Sequence, residues 1–236
     1  MKPKVAFLGT TYNGQAYLAE TIECILNQTI KDIEIIYVND GSTDNTIDIL
    51  KHYAKIDSRF KFYSFKKNKG ISKAWNYGLT KVTAPIICVT SDDDIYIEER
   101  AELSYKKLNK KPYDVFDGAF LRGNEDLVIQ NGFLQDGSPA WIAETVPYKK
   151  GILKKKQTIG HGFMSITTEM AKKVLYRENL KVGIDYPFLV DLENAGCRFC
   201  WTKDPLGIYR LHHKSVSYTR YDEVLDSSKE ALKDVR

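Results

Sequence analysis

Four short apolar runs, each followed by a polar turn and then by residues at helical spacing, constrain this chain more than any other feature. The runs are Val5 to Leu8, Ile33 to Val38, Phe60 to Phe65 and Pro85 to Thr90. A strand that is apolar on both sides has to be covered on both sides, which is the condition of a parallel sheet flanked by helices. The segments between the runs supply those helices. Leu18, Ile22, Ile25 and Leu26 form one face of a helix over about residues 16–28, and Ile47, Leu50, Tyr53 and Ala54 form the face of a second. Ser42 or Thr43 is placed to cap that second helix. Asn68-Lys69-Gly70 turns into a third, which carries Ala74, Trp75 and Leu79. The run from Phe60 alternates more than the others and is expected at an edge of the sheet.

Open parallel sheets bind ligands beyond the carboxyl ends of their strands. Three such ends here are polar: Thr10 and Tyr12, then Asp40, then Asp92-Asp93-Asp94. Three adjacent carboxylates repel one another unless a cation neutralises them. On a rigid strand end they are good ligands for a hard divalent ion that also holds phosphates. An acidic turn is commonly just solvated, and Asp40 has an ordinary alternative as a helix cap. The convergence of three polar ends on one rim is what favours a site. Asp94 is assigned to capping a helix near 97–108 and left out of that site.

Past residue 112 the pattern changes. Val115 to Leu121 and Leu127 to Ile129 are expected as an antiparallel pair joined through Gly123-Asn124. Residues 133–163 are irregular and rich in Gly and Lys. Helices are expected near 168–178 and from Asp185 to Ala195, short strands at Phe199 to Trp201 and Leu206 to Tyr209, and a charged helix over 221–236. A chain of 236 residues can bury one large α/β core.

Charge excludes one class of partner. Thirty-five basic and 31 acidic residues leave +4, too mild for nucleic-acid binding. Lys149, Lys150 and Lys154 to Lys156 form a local exception, read either as a solvated loop or as a surface for anionic lipid or an anionic acceptor. No apolar stretch reaches membrane-spanning length, and the N-terminus enters a strand with no signal-peptide profile. The expectation is a cytoplasmic protein, with peripheral membrane contact through Lys149–Lys156 as an option. Cys197 and Cys200 form a lone C-x-x-C without a second pair, so buried thiols are expected rather than zinc. Trp75 and Trp201 are assigned to the core. Trp141, in the irregular half, is a candidate sugar platform. His161, between Gly160 and Gly162, is divided evenly between acceptor contact and loop packing.

Several blocks in order resemble glycosyltransferase family 2. They are Thr11-Tyr12-Asn13, then Asn39-Asp40-Gly41-Ser42-Thr43-Asp44, then Asn68-x-Gly70 with Ala74-x-Asn76-x-Gly78. Ser91-Asp92-Asp93-Asp94 is similar to the family's metal motif, Gly183-Ile184-Asp185 to its catalytic-base block, and Tyr209-Arg210-Leu211-His212-x-x-Ser215-x-Ser217 to its closing motif. The resemblance spans roughly residues 4–217. It implies a GT-A fold, Rossmann-like and mostly parallel, with an antiparallel acceptor-side portion. It divides one domain, 1–217, into a nucleotide-sugar half (1–111) and an acceptor half (112–217), with a helical tail at 218–236.

The implied activity is inverting, metal-dependent transfer of a sugar, with a UDP-sugar favoured as donor. The implied acceptor is a saccharide, glycolipid or glycoprotein in surface-polymer synthesis. In that reading Thr10, Tyr12, Asp40, Gly70 and Asp92 bind the donor, and Asp93 and His212 hold Mn²⁺ or Mg²⁺. Asp185 is the general base, although Asp at a helix start is also a common N-cap. This chain has Ser91 where many relatives have an acid and Trp75 where many have Arg, which moves the expected chelating pair to Asp92-Asp93 and leaves one phosphate-side charge unaccounted for. The alternatives are transfer to a polyprenyl phosphate at a membrane surface and a nucleotide-sugar binding domain without turnover.

Overall fold

The computed structural model describes residues 2–110, 112–127, 148–151, 153, 159–215 and 219–233. Its elements in chain order are β1 (Val5–Thr11), α1 (Leu18–Leu26), β2 (Ile33–Asn39), α2 (Thr46–Ile56), β3 (Phe60–Ser64), α3 (Ile71–Leu79), β4 (Ile86–Thr90), β5 (Ile95–Tyr96), α4 (Arg100–Leu108) and β6 (Val115–Gly123). There follow a single 3₁₀ turn (His161–Phe163), β7 (Ser165–Thr167), α5 (Thr168–Val174), α6 (Asp185–Asn194), β8 (Phe199–Arg210) and α7 (Tyr221–Lys233).

One sheet runs in the order β3-β2-β1-β4-β7-β6-β8-β5. Its first four strands are parallel and correspond to the four apolar runs, with β3 at the edge as its alternation suggested. Alternate residues of each strand feed opposite layers, as the pleat requires. Val5, Phe7, Ile35 and Tyr37 pack with Leu18, Ile22, Ile25, Leu50 and Tyr53 of α1 and α2. Ala6, Leu8 and Ile36 pack with Trp75 and Leu79 of α3 and with Phe188 and Leu189 of α6. Fully burying a side chain such as Ile22 contributes about 1.5–3 kcal/mol, so these two layers fix where the strand ends point. Glu34 interrupts the second apolar run yet is buried. Its carboxylate accepts the Thr83 and Ala84 N–H groups, each at 2.7 Å, and so is fully compensated.

The second half departs from several expectations. The expected hairpin of Val115–Leu121 with Leu127–Ile129 is not seen among the described residues. β6 instead runs antiparallel to β7 and parallel to β8, and Leu127 lies in a turn whose N–H bonds the Asn124 carbonyl at 3.0 Å, while residues 128–129 fall outside the described residues. The two short strands near the C-terminus are one, Phe199–Arg210. Register shifts opposite Gly118 and Ala119 absorb its polar middle, which in the sequence looks like a break. α2 starts later than a Ser42 or Thr43 cap would give. Asp44 Oδ1 accepts the Thr46 N–H at 3.0 Å, while the Ser42 hydroxyl is committed to Asn39.

Asp94 does not cap α4 either. It is buried beneath the strand-end loop. The C-terminal helix packs on the body of the protein: the Ser227 hydroxyl donates to the Val182 carbonyl at 2.9 Å. Gly183, at φ +59°, lets the chain pass close to Val224 and Ser227. Trp75 is in the core, as expected, and Trp201 is half-buried. Trp141 and Lys154–Lys156 lie outside the described residues; Lys149 and Lys150 are described and exposed. Among the described residues no helix is long and apolar enough to cross a membrane.

Candidate active site

The carboxyl ends of β1, β2 and β4 open onto a cleft of about 520 Å³. Thr10, Thr11 and Tyr12 line it from β1, Asp40 from β2, Asn68, Gly70 and Ile71 from the start of α3, and Asp92 from the β4 end. Lys181 to Asp185 form the facing wall, and Arg220 and Val224 reach it from the C-terminal segment. Six of the expected residues, Thr10, Tyr12, Asp40, Gly70, Asp92 and Asp185, therefore share one cleft. Asp93 and His212 meet each other beside it, with His212 Nε2 3.0 Å from Asp93 Oδ2.

Local bonding explains why these strand-end sequences take this shape. Asn13, whose φ of +57° suits its short amide side chain, accepts the Thr43 N–H at 2.8 Å and donates its own N–H to the Ser42 hydroxyl at 2.9 Å. The loops after β1 and β2 are thus stapled together. Asp40 accepts the N–H groups of Lys69 and Gly70 at 2.7 and 3.0 Å. It fixes the turn into α3, which Gly70 completes at φ +98°. Burial raises the Asp40 pKa, and those two backbone donors offset part of the rise. Tyr12 stands 49% exposed at the mouth, free to offer a ring face.

The acidic loop is held from beneath. Tyr37 donates to the Ser91 carbonyl at 2.8 Å, and the Ser91 hydroxyl donates to Asp94 Oδ2 at 2.6 Å. Asp94 Oδ1 accepts the Arg210 N–H at 3.0 Å. Burial, then the neighbouring Asp93, push the Asp94 pKa well above the usual carboxylate range, and the same two causes push Asp92 up to about 7. Arg210 is almost fully buried. It donates from Nε to the Asp93 carbonyl at 2.8 Å, from a second nitrogen to the Glu125 carbonyl and from a third to Glu20 at 2.5 Å. Its guanidinium lies 4.5 Å from the centre of the Tyr17 ring, and that ring is 4.8 Å from His212.

On the opposite wall Asp185 is the first residue of α6, while Ile184 occupies the cap position. Its side chain is 46% exposed in the cleft, with His161 Nδ1 3.4 Å from its Oδ1. His161, which the sequence divided between acceptor and loop, is buried behind the base candidate rather than facing solvent.

Lys181, Arg220 and Asp94 were missed in the sequence. Lys181 and Arg220 belong to no motif and reach the cleft only through tertiary packing. Arg210 stands inside a motif block, where its role was not assigned. The thiols of Cys197 and Cys200 are pushed up by burial to about 12 and about 11, and no cluster of three metal-ligating side chains occurs among the described residues.

The residues present fit a metal that takes few ligands from protein. Asp93 offers a carboxylate oxygen and His212 a ring nitrogen on one side of a cleft large enough for phosphates, which suits Mn²⁺ or Mg²⁺ completed by phosphate and water. His212 Nδ1 accepts the Lys214 N–H at 3.3 Å, so Nε2 carries the ring proton toward Asp93. Binding metal through Nε2 would require that proton to move to Nδ1 and the Lys214 contact to open.

Comparison with known proteins agrees with this architecture. The model of the family described as glycosyl transferase family 2 matches residues 9–175. EpsH of Bacillus subtilis (strain 168), whose assignment as a glycosyltransferase is provisional, is 39% identical over an alignment of 252 residues, covering 98% of this chain and 67% of that one. Among solved structures, residues 1–349 of TarS from S. aureus, crystallised with UDP-GlcNAc, superpose with a TM-score of 0.72 at 17% identity, covering 99% of this chain and 67% of that one. The mannosyltransferase PcManGT of Pyrobaculum calidifontis, crystallised with GDP-Man and Mn²⁺, gives 0.72 at 15% identity, covering 99% and 65%. The chain thus spans about two thirds of these proteins, and it covers 17% of another relative, the glycosyltransferase GlyA of Streptococcus pneumoniae. The fold is GT-A, as the motif order implied.

Proposed function

The chain belongs to glycosyltransferase family 2, and from that premise we propose that it transfers a glycosyl group from a nucleotide-sugar to an acceptor hydroxyl with inversion. One observation carries this reading. A single cleft sets two carboxylates on facing walls: Asp92, from the acidic loop whose Asp94 is buried beneath it, on one side, and Asp185, half-exposed, on the other. The TarS and PcManGT complexes support a UDP- or GDP-sugar as donor, and the UDP conjugate is our first choice.

In this reading Thr10, Tyr12 and Asp40 receive the nucleoside, with Tyr12 stacking on the base. The Lys69–Gly70 turn, shaped by Asp40, borders the ribose. Asp92 faces the ribose and diphosphate, and Asp93, with His212 after the proton exchange above, would hold the divalent ion. Bound there, the ion would neutralise the leaving diphosphate. Lys181 and Arg220 line the same cleft and supply the phosphate-side charge that Trp75 does not.

Asp185 takes the proton of the acceptor hydroxyl as the new oxygen–carbon bond forms and the bond to the diphosphate breaks. It sits at the positive end of α6, which favours its ionised form, and general-base help of this kind is worth roughly 10²–10⁴-fold. A single displacement needs no covalent intermediate. The acceptor is a saccharide, glycolipid or glycoprotein of surface-polymer synthesis, entering from the side of residues 112–217.

Thermal unfolding with UDP, GDP, dTDP and CDP, with and without Mn²⁺, tests the donor assignment. Ligand at a hundred times its Kd adds about 2.7 kcal/mol of stability, or about 5–10 °C in Tm for a chain of this size. A metal-enhanced shift with one nucleotide is the expected result. No shift with any nucleotide, in folded protein, would reject the donor site.

A further inference from the structure

Behind Asp185 lies a buried polar chain that the reaction as described leaves unused. His161 comes from the 3₁₀ turn after Gly160 and is 8% exposed. Its Nε2 is 2.7 Å from the Tyr176 hydroxyl and its Nδ1 is 3.4 Å from Asp185 Oδ1. Trp75 meets the imidazole edge-on at 5.6 Å, Tyr176 at 5.6 Å and Phe188 at 6.3 Å, so the ring cannot turn freely. Tyr176 is itself stacked on Phe188 at 4.0 Å and on Trp75 at 5.4 Å.

The chemistry of the three groups fixes where the hydrogens are. An ionised carboxylate only accepts, so the nitrogen facing Asp185 must carry a proton. Burial lowers the His161 pKa, with Asp185 opposing, so the ring stays neutral and its other nitrogen is a lone-pair acceptor. Burial raises the Tyr176 pKa well above its ordinary value, which leaves its hydroxyl protonated and able to donate. The polar contacts therefore run in one direction: Tyr176 O–H donates to His161 Nε2, and His161 Nδ1–H faces Asp185 Oδ1 across 3.4 Å. One carboxylate oxygen of Asp185 is thus turned toward the imidazole, and the other is left for the acceptor hydroxyl.

We propose that His161, oriented by Tyr176, is the positioning residue of the Asp185 base, acting through a neutral imidazole protonated on Nδ1. The role rests on the assignment of Asp185 as base. It gives the buried histidine a function that packing alone does not need, since a phenylalanine would fill the same aromatic pocket. The proton taken from the acceptor stays on Asp185, and His161 neither gains nor loses one during transfer.

The tautomer can be read without any substrate. Long-range ¹H–¹⁵N spectra of the wild-type protein, assigned by substituting each of the four histidines in turn, should show His161 neutral with its proton on Nδ1. A proton on Nε2 would overturn the proposal. The kinetic test uses release of nucleotide diphosphate from the donor found in the thermal panel. H161F should lower kcat roughly 10- to 100-fold, with donor KM nearly unchanged. H161N, whose amide N–H falls near the Nδ1 position, should recover most of the loss, whereas H161Q, which mimics Nε2, should not.

In a D185N background H161F should have no further effect. If H161F costs the same with and without D185N, the positioning role is wrong while the base stands. If D185N turns over like wild type, the base assignment fails and this role falls with it. Should H161F fail to fold, the wild-type tautomer and the contrast between H161N and H161Q still decide.

Discussion

Arg210 is the clearest place to test whether the acidic loop is held from beneath. R210M keeps much of the side-chain volume and removes every side-chain donor, while the backbone N–H to Asp94 stays. Three guanidinium bonds disappear, to the carbonyls of Asp93 and Glu125 and to the carboxylate of Glu20. Removing one partner of a buried ion pair costs about 3–5 kcal/mol, and a hydrogen bond to a charged group is worth about 1.5–3 kcal/mol. Glu20 is 54% exposed and can rehydrate, which places the expected loss at the lower end, near 3 kcal/mol. For a chain of this size that is a fall in Tm of about 6–12 °C.

The loss has a second, local signature because Nε holds the backbone of Asp93. Affinity for Mn²⁺ in the presence of nucleotide should fall about tenfold or more, equivalent to about 1.4 kcal/mol. Calorimetry and metal titration measure the two effects separately. E20Q serves as a control, since it leaves both carbonyl contacts in place and should cost less than about 1 kcal/mol. A Tm within about 2 °C of wild type, together with unchanged metal affinity in R210M, would refute the view that Arg210 ties the loop.

Asp117 is buried on β6, its carboxylate oxygens make no well-formed hydrogen bond among the described residues, and burial pushes its pKa well above the usual range against weak opposition from the Gly118 and Gly160 N–H groups. A raised folded pKa means that stability is greatest below the unfolded value near 4 and declines as pH rises through the folded value. D117N should therefore gain Tm relative to wild type as pH rises above about 4, with little difference at the acid end; a difference independent of pH would contradict this. G183V forces a β-branched residue into φ +59° and against Val224, so it should lose about 1–3 kcal/mol and weaken nucleotide binding by displacing α7. Normal stability and binding would show that the close approach is unimportant. D93N should bind nucleotide without metal as wild type does and lose the metal-dependent gain in Tm; retention of that gain would move the ion elsewhere.

The parallel half was legible because its signal is local. Each of β1, β2 and β4 is a nearly continuous apolar run, and its burial follows from how little it has to expose, with Glu34 in β2 compensated by the Thr83 and Ala84 N–H groups. The strand-end residues Thr10, Tyr12, Asp40 and Asp92 reached one cleft because the parallel topology leaves them nowhere else to go. The second half was read less well, for physical reasons. β8 carries Thr202, Lys203 and Asp204 in the middle of a strand, and only the irregular register against β6 accommodates them. β6 finds its partners far away in sequence, so no neighbouring turn announces them.

Asp94 looked like a cap because an acid before a helix usually is one. The contacts that bury it come from Ser91 and from Arg210, 116 residues further on. Lys181 and Arg220 became visible only when the C-terminal helix docked through Ser227 and Gly183. The sequence divided His161 between acceptor contact and loop packing; the structure buries it 3.4 Å from Asp185, an approach that no motif signals.

The central claim is that Asp185 acts as base in a cleft that binds a nucleotide-sugar. Donor affinity and turnover measured side by side for wild type and D185N test it most directly. The account predicts unchanged affinity and Tm in D185N, with turnover reduced at least about a hundredfold. Turnover within a few fold of wild type, at equal donor occupancy, would contradict it.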